Sequence, residues 1–313
     1  MGNRPNDQQR ILHLKTKYIK SFLFILTVLC LLREEYKLLL PAVCVLAFLV
    51  AAPTAYLFYT SFLRWFLRDP TGPTFTGVEN YVKLIQSSDF ATSLTVTLIF
   101  SAASVIFSLS LGLGLALLFS ENLKGKRIMR TIIVLPIVLP PVVVGFTWKF
   151  LLSSEVGVIG AYLMRLIGLG NLSLLGDPTL ALVSVILADI WGKTPLPFLI
   201  FLAGLAGIPP IYYESAKIDG AGSWQTFRSI TLPNMKKPII VAAILRTIDA
   251  FNSFDVIFVM TKGGPGMATH TLPMLGWKVG FYYFDVGTAS AIGVILLLMV
   301  MFLSIPLIRS ISR

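Results

Sequence analysis

Six runs of apolar residues, each long enough to cross a lipid bilayer, dictate what this chain can fold into. They are Leu38–Phe62, Thr92–Phe119, Ile128–Leu152, Thr179–Ala206, Pro238–Met260 and Gly287–Ile308. A helix needs about 20 such residues to traverse the hydrocarbon core. Inside that core no water satisfies backbone N–H and C=O groups, so segments of this length must bond within themselves as helices. A seventh run, Ile19–Leu32, has only 14 residues before Arg33-Glu34-Glu35 ends it. With its basic leader it resembles a signal-peptide core, but no small-residue cleavage site follows Leu31-Leu32-Arg33. It reads either as an interfacial or partly buried cytoplasmic helix or as a true extra crossing.

Composition agrees with a membrane bundle. Hydrophobic residues are 56% of the 313, mean hydropathy is +0.81, and charged residues fall to 13%, where a soluble protein has about 25%. The net charge of +11 does not point to nucleic acid, because no basic stripe carries interleaved stacking aromatics. It reports orientation instead. Seventeen Lys and Arg fall in 1–37, 120–130, 207–237 and 309–313, against Arg64, Arg68, Lys83, Arg165, Lys262 and Lys278 in the other loops. Basic residues collect on the cytoplasmic side, so six crossings with both termini inside satisfy the count. The expected plan is all-α and polytopic. Residues 1–37 form a cytoplasmic N-terminal extension with its short hydrophobic segment, 38–308 a transmembrane domain with a large cytoplasmic loop at 207–237, and 309–313 a cytoplasmic tail.

Metal and disulfide chemistry find no support. Cys30 and Cys44 both lie in apolar runs, and His13 and His270 are far apart with no carboxylate at ligand spacing. Nor is there a nucleotide site. Gly192-Lys193-Thr194 resembles the end of a phosphate-binding loop, but Leu187 stands where a glycine is needed, and the segment lies in an apolar span.

The 207–237 loop is the informative one. Pro209 and Pro210 suit the first turn of a helix, Ile211–Asp219 makes about two turns, and Gly220 and Gly222 permit a reversal at positive φ. Ser223 is expected to cap a second short helix through Trp224, Phe227 and Ile230 that Pro233 ends. Glu214, Ala216, Gly220, Ile230, Leu232 and Pro233, with nine residues between Gly220 and Ile230, resemble the EAA loop of ABC importer permeases. Ser215 replaces the first Ala of that motif, and Ile218-Asp219-Gly220-Ala221 with Trp224 resembles the carbohydrate-type branch, of maltose, trehalose and glycerol-phosphate-like systems. The resemblance covers roughly 38–308.

That likeness implies a permease subunit of an ATP-driven sugar importer in a prokaryotic cytoplasmic membrane. It implies that Glu214, Ser215, Ala216, Gly220, Ile230, Leu232 and Pro233 couple the bundle to an ATPase. The implied partners are a second homologous permease, two copies of a cytoplasmic ATPase that holds ATP and Mg, and an extracytoplasmic solute-binding protein. No cofactor and no catalysis are expected on this chain. An ion-coupled secondary transporter gives no reason for the Glu214–Pro233 pattern, a membrane enzyme has no nucleophile–base set, and a non-sugar cargo keeps the same architecture.

Charges at bilayer depth complete the reading, since such groups face a cavity or one another. Asp189 and Lys193 stand at i,i+4 and Arg246 and Asp249 at i,i+3, the spacings of ion pairs along one helix. Asp189, Trp191, Asn252 and Asp255 are the candidate solute residues: carboxylates and an amide for hydroxyls, an aromatic face for C–H groups. Phe251–Pro265 resembles the end of the fifth span in sugar-type permeases.

Overall fold

Proline and asparagine decide how far the apolar runs stay straight. The computed structural model describes residues 34–121, 124–166, 168 and 173–311. The run Ile19–Leu32 lies outside the described residues. The chain divides into two units, 1–56 and 57–313. Helix α1 (Glu34–Ser61) carries Pro41 and Pro53, and its residues 34–56 are what is described of the first unit.

After the last turn of α1 the second unit continues into a short hairpin. Strands β1 (Leu63–Arg64) and β2 (Thr74–Phe75) pair antiparallel, with Leu63 opposite Phe75. The amphipathic helix α2 (Glu79–Gln86) follows. Its buried Asn80 donates to the Ser61 and Leu63 carbonyls at 2.8 Å each. The connection after α1 is thus ordered by one amide that satisfies two carbonyls.

Helix α3 (Ser88–Ser120) has 33 residues, about 50 Å at 1.5 Å per residue. The third run does not make one straight helix. It forms α4 (Lys126–Val134), a 3-10 turn (Leu135–Val138) and α5 (Pro141–Leu151), and the two arms meet at a bend of 105°. Pro136, Pro140 and Pro141 explain the bend, because each removes a backbone donor and its ring clashes with the preceding turn. A π-helical turn (Val158–Leu163) and the short α6 (Met164–Leu166) lie beyond it.

The fourth run forms α7 (Pro178–Lys193) and α8 (Pro195–Ala206), bent by 42° at Thr194-Pro195. Asp177 caps α7, accepting from the Thr179 and Leu180 amides at 2.9 Å. Helix α8 packs closely on α3 at Gly112, where a Cβ would stand 2.9 Å from Pro197 Cβ and 3.0 Å from the Phe198 nitrogen. Only glycine permits that approach.

The 207–237 loop contains α9 (Pro210–Ile218), α10 (Ser223–Thr226), a π turn (Phe227–Thr231) and α11 (Leu232–Asn234). Helix α12 (Lys236–Phe251) then re-enters the bundle. The fifth run is interrupted as well: residues 252–254 are not helical before α13 (Asp255–Thr261). The Asn252 amide donates to the Ile248 carbonyl at 2.8 Å, the local competition that lets asparagine end a helix. Helix α14 (Leu272–Trp277), a π turn (Lys278–Tyr282) and α15 (Val286–Ile311) complete the fold. Among the described residues three straight helices are long and apolar enough to cross a membrane, five spans if each bent pair counts as one.

Two apolar clusters flank a polar layer. Phe100, Val144, Val185, Ile190, Ile257 and Met274 form one, and Ala116, Phe119, Phe198, Phe201, Met235 and Ala242 the other. A third joins Leu84 and Phe90 to Leu272, Leu275 and Ile292.

His270, in the loop before α14, is buried, and its Nδ1 lies 3.0 Å from the Ser93 hydroxyl on α3. Burial lowers its pKa from the ordinary histidine range, Lys278 lowers it further, and Asp89 opposes both. A group whose folded pKa is depressed holds fewer protons folded than unfolded, so its contribution is present above about pH 6.5 and lost as pH falls below it. Thermal melting of the purified chain should therefore weaken on acidification through this window. His270→Gln should flatten that dependence; an unchanged slope would assign the acid lability elsewhere.

Candidate functional site

The short helices of the 207–237 loop form a compact knob, built from backbone geometry that the sequence specifies locally. Pro210 opens α9 at its first position. Gly220 closes it at φ +72°, with the Gly220 amide on the Lys217 carbonyl at 3.2 Å and the Ala221 amide on the Ala216 carbonyl at 2.9 Å. Those two bonds and the left-handed glycine are the Schellman arrangement, which satisfies carbonyls that a helix end otherwise leaves bare. Gly222 does not take positive φ, contrary to expectation; it is extended at φ −70°, ψ 164° and is itself the cap of α10. Ser223 is the first helical residue and makes no side-chain cap. Pro233 does not end the second helix either. It sits in the first turn of α11, where its missing N–H costs nothing, and the path runs on through Met235 into α12.

The Tyr213 hydroxyl meets the Thr231 hydroxyl at 3.2 Å and ties the two arms together. Ser215, Ala216 and Asp219 on one arm face Gln225, Ser229 and Ile230 on the other across a cleft of about 520 Å³. Ala216 is buried, while Glu214, Ser215, Leu232 and Pro233 are exposed. Among the described residues no cation lies within ion-pair distance of Glu214. The motif residues thus form one surface: a rigid turn, a buried small residue and an exposed carboxylate.

The second constellation lies between the two apolar clusters. Arg246 on α12 is 1% exposed. Its Nε donates to the Ser108 hydroxyl at 3.0 Å and its Nη2 to the Ser104 hydroxyl at 2.6 Å. Its Nη2 also donates to Asp189, and Nη1 to Asp249 at 2.8 Å. The Ser104 hydroxyl donates to the same Asp189 carboxylate. Lys193 meets the other oxygen of Asp249 at 3.1 Å.

This pairing corrects the sequence expectation for Asp189. It does not pair with Lys193 at i,i+4. Asp189 takes the buried guanidinium from α12, and Lys193, in the last turn of α7, pairs with Asp249. The Arg246–Asp249 pair is present as expected. Asp189 is 1% exposed, with its Oδ2 on the guanidinium and its Oδ1 without a hydrogen-bond partner among the described residues. The network leads outward from it: the Lys193 and Asp249 side chains are 32% and 42% exposed.

Trp191 is 40% exposed and packs edge-on against Trp148, ring centroids 6.2 Å apart. Both rings line an apolar cavity of about 460 Å³ with Leu111, Ile133, Pro136 and Pro195. Neither Asn252 nor Asp255 lines that cavity. Both are exposed, but the helix break between them means they do not lie one turn apart on one helix face. Sequence reasoning missed Ser104, Ser108, Asp249 with Lys193, and Trp148.

Comparison with known proteins adds to this geometry. Residues 108–312 match the sequence profile of the family described as binding-protein-dependent transport system inner membrane component. The chain is 36% identical over 276 residues to the trehalose/maltose transport system permease protein MalF of Thermococcus litoralis, covering 88% of this chain and 92% of that one. It is 36% identical over 259 residues to the sulfoquinovosyl glycerol transport system permease protein SmoG of Agrobacterium fabrum, covering 83% and 84%. Among solved structures, a bacterial ABC transporter involved in import of the acidic polysaccharide alginate matches with a TM-score of 0.74 at 25% identity, covering 96% of this chain and all of that one. The MetNI methionine ABC transporter shares the fold, with a TM-score of 0.52 at 17% identity over 75% of this chain and 99% of that one. With its profile match and its relatives, this multi-pass membrane chain belongs to the family of binding-protein-dependent transport system inner membrane components, the permeases of ABC transporters.

Proposed function

We propose that this chain is the translocating subunit of an ATP-driven importer for a sugar or sugar-like solute in a prokaryotic cytoplasmic membrane. The observation that carries the reading is the knob, a Gly220-closed turn that exposes Glu214 and runs almost without interruption into α12. Such a surface suits a groove on a separate ATPase, where Glu214 meets a cation in a charge-assisted pair. The ATPase, in two copies, supplies ATP and Mg. A second permease of similar architecture completes the bundle, and an extracytoplasmic binding protein delivers the solute. ATP closes the ATPase pair, the knobs move, and the cavity turns outward; hydrolysis returns it.

The carbohydrate cargo is supported by relatives whose names specify trehalose, maltose and sulfoquinovosyl glycerol, and by the chemistry at the open end of the charged network. Lys193 and Asp249 are partly exposed at bilayer depth, which requires a wet cavity or a protein partner rather than lipid. With Trp191, Asn252 and Asp255 they offer polar groups for hydroxyls and a ring for C–H faces. Asp189 is assigned to Arg246 and not to solute.

The test is uptake by proteoliposomes that hold this chain with its partner subunits, supplied with trehalose, maltose and amino acids. ATP-dependent uptake of a sugar at wild-type Trp191, reduced by Trp191→Ala, is the expected result. Uptake driven by an ion gradient without ATP, or restricted to amino acids, would sink the proposal.

A further inference from the structure

The bend in the third span leaves a cationic slot that the transport reading does not use. Lys124, Lys126, Arg127 and Arg130 place four cations within seven residues. Helix α4 has no buried residue, and its Ile128 and Ile132 are among the exposed large hydrophobics. Lys126 donates to the Glu121 carbonyl at 3.1 Å. Among the described residues no carboxylate lies within ion-pair distance of Lys124, Arg127 or Arg130. A basic amphipathic helix at the cytoplasmic surface has the composition that draws anionic lipid.

Beside it lies a cavity of about 330 Å³. Arg130 and Thr131 stand at one end of its lining, and Val134, Leu135, Val138 and Leu199 form the rest. The Thr131 hydroxyl donates to the Arg127 carbonyl at 3.1 Å and keeps lone-pair and rotational freedom. Arg130 is one turn C-terminal to the start of α4. The wall above it is wholly apolar up to the 105° bend. A guanidinium fits a phosphate in a two-pronged hydrogen bond, and an aliphatic trough fits an acyl chain. A cation at the mouth with an apolar wall behind it is the complement of one anionic phospholipid, and of neither a sugar nor a second polar peptide.

We infer that the cleft between α4 and α8 is a binding site for one anionic phospholipid of the cytoplasmic leaflet. Its phosphate lies on Arg130, and one acyl chain lies along Val134, Leu135, Val138 and Leu199. The lipid would brace α4 and the turn that follows it against α8.

The experiment reads lipid retention, not transport, so its failure is separable from failure of the importer reading. The full-length chain is reconstituted in equal parts phosphatidylcholine and phosphatidylglycerol, extracted, and analysed by native mass spectrometry. Wild type should retain phosphatidylglycerol over phosphatidylcholine by about fivefold, the ~1 kcal/mol that one basic residue contributes at an anionic surface. Arg130→Gln should bring that ratio near parity, while Lys124→Gln, an equal loss of charge on the same helix, should leave it. Leu199→Trp, which fills the trough, should abolish retention of either lipid with Arg130 in place.

Equal retention by wild type and Arg130→Gln would overturn the inference, as would an equal effect of Lys124→Gln, which marks diffuse surface charge. Displacement by inorganic phosphate would replace the lipid with a free anion. A photocrosslinker at Val138 in native membranes should label lipid, and a protein adduct would assign the trough to a partner helix instead.

Discussion

Arg246→Met is expected to destabilise the bundle by about 3–5 kcal/mol, the range for removing one partner of a buried ion pair. The guanidinium serves Ser104, Ser108, Asp189 and Asp249 together, so its loss leaves a carboxylate sealed in an apolar layer with nothing to neutralise it. Asp189→Leu alone should cost less, since Asp249 still faces the cation. The double variant should recover much of the loss, because a buried pair replaced by packed apolar groups is often close to neutral. Lys193→Gln, at the partly exposed end, should cost under about 1 kcal/mol. Thermal unfolding in detergent and yield from membranes measure all four. A double variant as damaged as the sum of the singles would mean that Arg246 and Asp189 are not coupled.

The second large effect is expected at the knob. On the proposed docking, Glu214→Lys reverses the charge offered to the ATPase; close interfacial pairs carry about 2–5 kcal/mol, so association should weaken roughly thirtyfold or more. Gly220→Val acts through the backbone. At φ +72° a β-branched residue costs about 1–3 kcal/mol and opens the turn that sets α9 against α10. Both variants should insert normally, lose ATP-dependent uptake and release the ATPase on purification. Ala→Gly changes at neighbouring surface positions should do none of this. Parental transport by Glu214→Lys would remove the docking role.

The knob was the part most legible in the sequence, because its determinants are local. A glycine at positive φ and prolines in first turns act on the residues beside them, and spacing reports them. The mistakes there were of one residue: Gly222 rather than Ser223 caps α10, and Pro233 starts a turn rather than ending one. The spans were legible as apolar runs but not as straight rods. Hydropathy reports which solvent a residue prefers and carries no information on chain direction, so Pro136, Pro140 and Pro141 bent a run that passed every length criterion.

The charged layer was misread for a different reason. The i,i+4 rule describes a helix alone, and in the bundle a partner 57 residues away outcompeted the neighbour four residues away for Asp189. A signal was present in α3. Ser93, Thr97, Ser101, Ser104 and Ser108 form one hydroxyl face of a largely apolar helix, and all five are buried. Such a face needs partners. Ser93 meets His270, Thr97 accepts the Leu272 amide at 2.8 Å, and Ser104 and Ser108 take Arg246. Asn252 and Asp255 were separated by a local bond, the Asn252 amide on the Ile248 carbonyl, that no periodicity records.

The near-continuity of the knob with α12 has a mechanical consequence. Sixteen residues from Lys236 to Phe251 make a rod of about 24 Å, fixed at its cytoplasmic end to the second arm of the knob. Arg246 and Asp249 ride near its far end. A lever of that length turned through about 10° carries its tip about 4 Å, more than the 3.1 Å that separates Lys193 from Asp249. The surface contact can thus part while the buried grip on Asp189, nearer the pivot, shifts less. Force applied at the cytoplasmic surface would be felt first as a change of charge pairing halfway through the bilayer.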